Sequence, residues 1–207
     1  MKLTVQSKIE WTAEMIADHI AKARNYAATL ESICKCTATD KSLLLHHAQF
    51  FATIKTALWG AMLLNVHHCL DRRKEALGFH SLFKQICAYL PEEKVSNRAM
   101  NEGLQNLLTT EEAKTVARWR SEMVAHVAHD HQSYGQFLQE TPCDFRDIDR
   151  LLMGCEQLLD ACRNSFPETH ITRVLSFHIQ AESSVAAVME ALRVANAAHG
   201  TALPRRP

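Results

Sequence analysis

Arginine and histidine side chains occur together in one segment of the chain, at Arg120 and His126. A guanidinium can bind a phosphate group through two parallel hydrogen bonds and offset negative charge that builds up on it. An imidazole can take up or release a proton close to neutral pH. The pair therefore has the residue types for acid–base chemistry at a phosphate, and the elements that position the two side chains decide whether they act together.

The segment that carries both residues has the pattern of an amphipathic helix. Thr109-Thr110-Glu111-Glu112 places a threonine three residues before a glutamate, which is typical of a capping box, and the helix is predicted to run to about His129. Arg120 lies near the middle of an apolar face formed by Val116, Trp119, Met123, Val124 and Val127. Arg120 and His126 are roughly 120° apart around the helix and roughly 9 Å apart along it, too far for an adjacent pair.

Arg120 is the residue that the apolar face explains least. An unpaired charge is costly to bury, so the guanidinium must reach water along its stem or find carboxylate, phosphate or carbonyl partners. One interpretation is structural: the arginine extends to solvent or joins two helices in an ion pair. The other is functional: the guanidinium lines a cleft that receives a ligand. The sequence leaves both interpretations open.

The run Arg120-Ser121-Glu122-Met123-Val124-Ala125-His126, followed by Asp130, resembles the signature helix of the HEPN domain superfamily, particularly its abortive-infection-like group. In that family an arginine, a polar residue and a later histidine lie on a late helix of an all-α bundle. Residues 57–66, Leu70-Asp71-Arg72 and Phe79-His80-Ser81-Leu82 look like the second helix of that group and the start of its third. The likeness covers roughly residues 43–166.

The resemblance implies that two copies of this helix meet across a homodimer, which brings an arginine and a histidine from each protomer into one cleft. Many members are metal-independent ribonucleases, often toxins of toxin–antitoxin or phage-defence systems, and others are inert binding modules. For this chain it implies Arg120 and His126 as the catalytic pair, with RNA and a cognate antitoxin or other protein as partners. His126 would take the proton of a ribose 2′-hydroxyl or protonate the leaving oxygen, while Arg120 holds the phosphate.

Four residues around the pair are expected to support it: Ser121, Glu122, His129 and Asp130. Ser121 keeps a polar group where many members of the family have Asn, Asp or His, but its side chain is shorter. Glu122 stands where a Lys is common. One turn from His126, its carboxylate would raise the pKa of the imidazole and repel an RNA phosphate, or orient the ring. An active ribonuclease and a catalytically inert HEPN binding module therefore both remain open.

A histidine-rich metal-binding bundle is a further alternative. Residues 126–131 offer three imidazoles and a carboxylate, yet no second cluster with matching spacing and no Glu-x-x-His pattern occurs. The pairs His46-His47 and His67-His68 each point in two directions from a helix, so one histidine of each pair can serve a given site. The sequence also lacks a Gly-rich phosphate loop, and we expect no metal and no cofactor.

Composition and periodicity favour an all-α fold. The chain has only six glycines and five prolines, too few for the many tight turns of a β protein. We predict an antiparallel helical bundle of about six to seven helices, over about residues 8–36, 40–70, 79–89, 92–108, 110–129, 145–166 and 168–198. We expect one HEPN-like domain over residues 1–199 and a flexible tail over 200–207. The run Asp71-Arg72-Arg73-Lys74 is expected to form a solvated turn, with the alternative that on a dimer it flanks the cleft and guides RNA.

Charge and cysteine usage bound the partners and the compartment. The 23 basic residues are balanced by 23 acidic ones, so any RNA contact must come from a local patch. The seven cysteines form no paired framework, the N-terminal segment lacks the apolar core of a signal peptide, and the apolar stretch 50–66 contains Lys55. We therefore expect reduced thiols, a cytoplasmic protein and no membrane partner.

Overall fold

The computed structural model describes residues 4–73, 76–90, 94–126, 143–167, 171 and 178–202. At 42–44, 94–96, 122–126, 178–182 and 198–202 it describes the backbone alone. The elements in these ranges are all helices. They are α1 (Val5–Thr39), α2 (Lys41–His46), α3 (Ala48–Leu70), α4 (Phe79–Tyr89), α5 (Lys94–Thr109), α6 (Glu111–His126), α7 (Phe145–Ser165) and α8 (His178–Ala202). Apart from α2, with six residues, each has eleven or more. Seven helices remain in these ranges when the six-residue α2 is set apart, so the predicted all-α bundle of six to seven helices is confirmed.

Two compact units make up the chain. Unit 1 contains Met1–Ala23 and Met62–Leu175, and unit 2 contains Arg24–Ala61 and Ser176–Pro207. The helices α1 and α3 each contribute one part to unit 1 and another part to unit 2. The single domain expected over residues 1–199 stays a prediction.

Unit 1 is built on α5, which packs against α4, α6 and α7, while α6 also packs against α7. The helix α4 buries four side chains at three- and four-residue steps: Phe79, Leu82, Phe83 and Ile86. The helix α7 buries the apolar face that its period predicts: Ile148, Leu151, Leu152, Cys155, Leu158, Leu159 and Cys162. Full burial of a large apolar side chain stabilises the fold by about 1.5–3 kcal/mol, so these faces stabilise unit 1, in which α6 packs on α5 and α7.

Unit 2 has a smaller core, formed by Ile33, Phe51, Val185 and Met189. Polar contacts reinforce it. The Nε2 atom of His47 lies 2.9 Å from Oδ1 of Asn196, and Nε of Arg193 donates a hydrogen bond to Oδ2 of Asp40 at 3.0 Å. Both contacts tie α8 to the segment around α2, with which α8 packs.

The helix predicted over residues 40–70 is wrong in one place. A turn at His47 divides it into α2 and α3. The local apolar period continues through this point, but the contact between His47 and Asn196 and the packing of α2 on α8 outweigh it. Tertiary contacts of unit 2 therefore decide this boundary.

The last predicted helix also differs in its limits. It begins at His178 instead of residue 168, and Ile171 is buried outside any helix. At the other end α8 continues to Ala202, so the expected tail over 200–207 starts within the helix, and 203–207 lie outside the described residues. The segment between the helices predicted over 110–129 and 145–166 lies outside the described residues from 130 to 142. None of the helices in the described ranges is long and apolar enough to cross a membrane.

Candidate active site

The helix α6 begins directly after its N-cap, Thr110. The Thr110 hydroxyl accepts a hydrogen bond from the backbone N–H of Ala113 at 3.2 Å, which satisfies one of the free donors of the first turn. The capping box predicted from Thr109 to Glu112 is wrong. Thr109 is the last residue of α5, and its hydroxyl donates to the backbone carbonyl of Asn106.

One face of α6 is fixed by burial and by an ion pair. Ala113, Val116 and Trp119 are buried, and α6 packs on α5 and α7. The Glu112 carboxylate accepts a hydrogen bond from Nε of Arg150, on α7, at 2.9 Å. Arg120 follows the buried Trp119, so its backbone is held in place by a well-packed helix. A site on such a rigid element can hold its side chains accurately.

Arg120 is partly buried, and its Nε atom is fully enclosed without a hydrogen-bond partner. The ion pairs formed within the described ranges do not include its guanidinium. The structural interpretation, in which a carboxylate of the same chain clamps this arginine, therefore finds no support there. A buried N–H without an acceptor costs about 1–3 kcal/mol, a cost that an acceptor on a ligand would remove.

Two histidines at the end of α3 lie within reach of the Arg120 charge. Burial is the main cause that lowers the pKa of both His67 and His68, and the positive charge of Arg120 lowers both further. The carboxylate of Asp71 acts in the opposite direction on each ring. At neutral pH both imidazoles are therefore uncharged, and each has a nitrogen that can accept a proton.

Asp71, the residue after α3, is 5% exposed and tightly held. Its Oδ1 accepts a hydrogen bond from the backbone N–H of Arg73 at 2.9 Å, and its Oδ2 accepts one from Nε of Arg73 at 2.8 Å. Burial alone would raise the pKa of Asp71, but these hydrogen bonds lower it below its usual value. The same Oδ2 lies 3.8 Å from Nε2 of His67. The solvated turn predicted at this point is therefore wrong for Asp71, since Arg73 and His67 enclose its carboxylate.

A third histidine, His19, joins the site from α1. Its ring stacks on that of His68, with the centroids 4.9 Å apart and an angle of 27° between the planes. Its Nδ1 lies 2.8 Å from Oδ1 of Asn65. We call His19, His67, His68, Asp71 and Arg120 the histidine–arginine cluster. All of its members belong to unit 1.

The sequence indicated only one member of this cluster in advance. From the sequence, His67 and His68 are adjacent residues that point in different directions from one helix, and no motif includes His19. One signal was available, because His67 and Asp71 are four residues apart and such residues are neighbours on one helix face. The sequence does not indicate the role of His19, because its contact with His68 joins two helices that are distant in the sequence.

The predicted site residues fall into three groups. Arg120 and the exposed Ser121 are fully described. Glu122 and His126 lie in the last turns of α6, of which the backbone alone is described, and His129 and Asp130 lie outside the described residues. Because α6 is helical through His126, the separation of roughly 9 Å along the axis between Arg120 and His126 applies.

One other place in the described ranges lacks the groups for acid–base or metal chemistry. A groove of about 610 Å³ between α5 and α7 is lined by apolar and uncharged polar residues, among them Met100 and Leu107. No set of three or more His, Cys, Asp or Glu side chains in those ranges can hold a metal ion. The histidine-rich metal alternative at 126–131 lies outside the described side chains.

Comparison of the chain with family models, with curated proteins and with solved structures found no match. Its function is therefore inferred from the site and from the motif between Arg120 and His126.

Proposed function

We propose that this protein is a metal-independent endoribonuclease of the HEPN type, in which Arg120 and His126 form a composite site across a homodimer. The observation that carries the proposal is the state of Arg120. Its Nε is buried without a hydrogen-bond partner, beside histidines that are neutral at neutral pH. A phosphodiester supplies both the negative charge and the acceptor oxygens that this guanidinium lacks.

The chemistry follows from the two side-chain types. Arg120 binds the scissile phosphate and offsets the charge that builds up on it in the transition state. His126 exchanges a proton with the ribose 2′-hydroxyl or with the leaving 5′-oxygen. Ser121, Glu122, His129 and Asp130 are the supporting residues of this proposal.

Dimerisation is part of the proposal because one helix cannot bring its own pair together. Positions 120 and 126 lie roughly 120° apart around the axis of α6. Two α6 helices that meet across a two-fold axis present two such pairs to one cleft, and the arginine of one protomer can then face the histidine of its partner. A cytoplasmic toxin of a toxin–antitoxin or phage-defence system, held by a cognate antitoxin, is the role this chemistry fits.

The test uses the purified full chain, end-labelled RNA and a chelator. The wild type is expected to cut RNA in the chelator and to leave 2′,3′-cyclic phosphate ends, because the 2′-hydroxyl is the nucleophile. Arg120→Ala and His126→Ala are expected to lose cleavage and to unfold at the wild-type temperature. Arg118→Ala is the matched control, since Arg118 is an exposed arginine of the same helix.

Three results would change the assignment. RNA binding by a dimeric wild type without cleavage would assign the chain to the inert binding modules of the HEPN superfamily. Cleavage that stops on chelation would favour the metal-binding alternative. A fully active monomer, measured by sedimentation, would remove the composite site from the proposal.

A further inference from the structure

His67 and Asp71 form a histidine–carboxylate pair that the Arg120 and His126 motif does not include. The Asp71 carboxylate cannot rotate freely, because the backbone N–H and side chain of Arg73 hold both of its oxygens. Its Oδ2 faces Nε2 of His67 at 3.8 Å, one helical turn away. The carboxylate therefore favours the tautomer of His67 in which Nε2 carries the proton and Nδ1 is free to accept one.

We propose that His67 is the general base of the ribonuclease site and that Asp71 is its positioning residue. This inference rests on the proposed function and adds to it, since it separates the roles of base and acid. His67 has 19% of its side chain exposed, so the ring is held by its surroundings but remains open to a ligand. The charge of Arg120 lowers the pKa of His67, and the proposal places the phosphate ligand Arg120 and the base His67 in the same site of unit 1.

The reaction step is balanced without any further reactant. His67 takes the proton of the ribose 2′-hydroxyl while the 2′-oxygen forms a bond to phosphorus. The bond between phosphorus and the 5′-oxygen breaks, and the 5′-oxygen receives a proton from His126. The products are a 2′,3′-cyclic phosphate and a 5′-hydroxyl end. Proton return from His67 to His126 through water restores the starting state.

Several charged and titratable groups face His67 and set its proton affinity. Asp71 raises its pKa, whereas Arg120, His68 and Arg73 lower it, and burial lowers it most. His19, from α1, stacks on the ring of His68, which is the chain neighbour of His67. A base with a pKa below 6.5 is largely unprotonated at neutral pH, which is the state that proton abstraction requires.

The test is the pH profile of single-turnover RNA cleavage by the full chain in a chelator. For the wild type the rate rises with pH as the base His67 loses its proton, and it falls again at higher pH as the acid His126 loses its own. His67→Gln is expected to lower the rate by about 10²–10⁴-fold and to remove this acidic limb. In Asp71→Asn the limb is expected to move to lower pH, because the group that raises the pKa of His67 is gone; a purely structural role of Asp71 would not shift it.

The matched control is His80→Gln, which changes an exposed histidine of unit 1 and should keep the wild-type rate and profile. A His67→Gln protein that cuts RNA with the wild-type rate and profile would overturn the role of His67 and leave the proposed function intact. A wild type that does not cut RNA would overturn both. Should His67→Gln not fold, a 2′-O-methyl oligoribonucleotide added to the wild type must shift the His67 imidazole resonances, and unchanged resonances would overturn the inference.

Discussion

The imidazole rings of His19 and His68 stack with their centroids 4.9 Å apart, and this contact joins α1 to α3 within unit 1. Two protonated rings at this distance would repel each other, whereas two neutral rings pack as aromatic groups. Burial and the neighbouring His19 are the two main causes that lower the pKa of His68. The folded protein therefore favours the neutral form of His68, and its stability depends on pH.

Mild acid is expected to destabilise the fold through this stack. The folded-state pKa of His68 lies below its unfolded value of 6.5, with Asp71 opposing and Arg73 and Arg120 adding to the shift. As pH falls from 6.5 towards the folded-state pKa, the unfolded chain binds more protons than the folded one, so the free energy of unfolding decreases. The contribution is fully present above 6.5 and is lost below it.

His68→Gln should reduce this sensitivity to acid. Between neutral pH and about pH 5.5 the melting temperature of the variant is expected to fall less than that of the wild type, by roughly 2–4 °C. Thermal unfolding followed by circular dichroism measures it. His80→Gln, at an exposed site, should behave like the wild type. Equal losses in wild type and His68→Gln would contradict the role of the stack.

Arg120→Met is expected to separate stability from function. The substitution keeps an apolar side chain of similar length and removes a buried N–H that has no partner in the folded protein. The free energy of unfolding, measured with urea, should stay the same or rise by about 1 kcal/mol, while RNA cleavage is lost. The neighbouring Trp119, 4% exposed, provides the contrast: Trp119→Ala should cost about 3–5 kcal/mol.

A different result for Arg120→Met would return the arginine to its structural interpretation. If its loss lowers the free energy of unfolding by more than about 1 kcal/mol, Arg120 holds the fold together and its place in a ligand site is doubtful. The measurement is decisive because a guanidinium that binds a ligand has no reason to stabilise the empty protein.

Periodicity was sufficient to predict the helices whose faces are buried by their own unit. The helix α4 occupies the predicted residues 79–89, and α7 buries the predicted stripe from Ile148 to Cys162. A helix face with regularly spaced apolar residues is stable only when it packs against other apolar faces, so the sequence pattern is enough to predict which side chains are buried. Where a contact between distant segments sets a helix boundary, as at His47, the local sequence pattern does not predict that boundary.

The candidate site was only partly accessible to sequence reasoning for the same reason. Arg120 was identified because a charge on an apolar face is visible in one helix. The rings of His19 and His68 lie 49 positions apart in the sequence, and the packing of α1 against α3 brings them together. The turn at Asp71 shows a further limit, since a run of charged residues usually lies in solvent, yet this carboxylate is buried and accepts hydrogen bonds from Arg73.

Gly78→Ala is expected to disturb the end of α3 that carries the histidines. A Cβ atom at Gly78 would lie 2.7 Å from the backbone oxygen of His68 and 2.8 Å from that of Cys69. Backbone atoms cannot move aside as a flexible side chain can, so the free energy of unfolding should fall by about 1–3 kcal/mol in urea denaturation. Cleavage of RNA should also decrease, because the displaced backbone belongs to His68.

Gly103→Ala is the matched control for this effect. There the nearest atom to an added Cβ is the end of the Leu158 side chain, at 3.0 Å, which can adjust. Gly103 lies inside α5, where alanine is the better helix former by about 1 kcal/mol. This variant should therefore be at least as stable as the wild type. A Gly78→Ala protein of equal stability would show that the approach of Gly78 to α3 is looser than described.

The placement of the α6 cap can be tested with two neighbouring threonines. Thr110→Ala removes the hydroxyl that accepts the Ala113 N–H, and the expected cost is about 1 kcal/mol in the free energy of unfolding. Thr109→Ala removes a hydroxyl that only donates to the Asn106 carbonyl within α5, and its effect should stay within about 0.5 kcal/mol. Urea denaturation of the two variants measures the difference. The reverse order of stabilities would restore the capping box from Thr109 to Glu112, and the start of α6 would then lie one residue earlier.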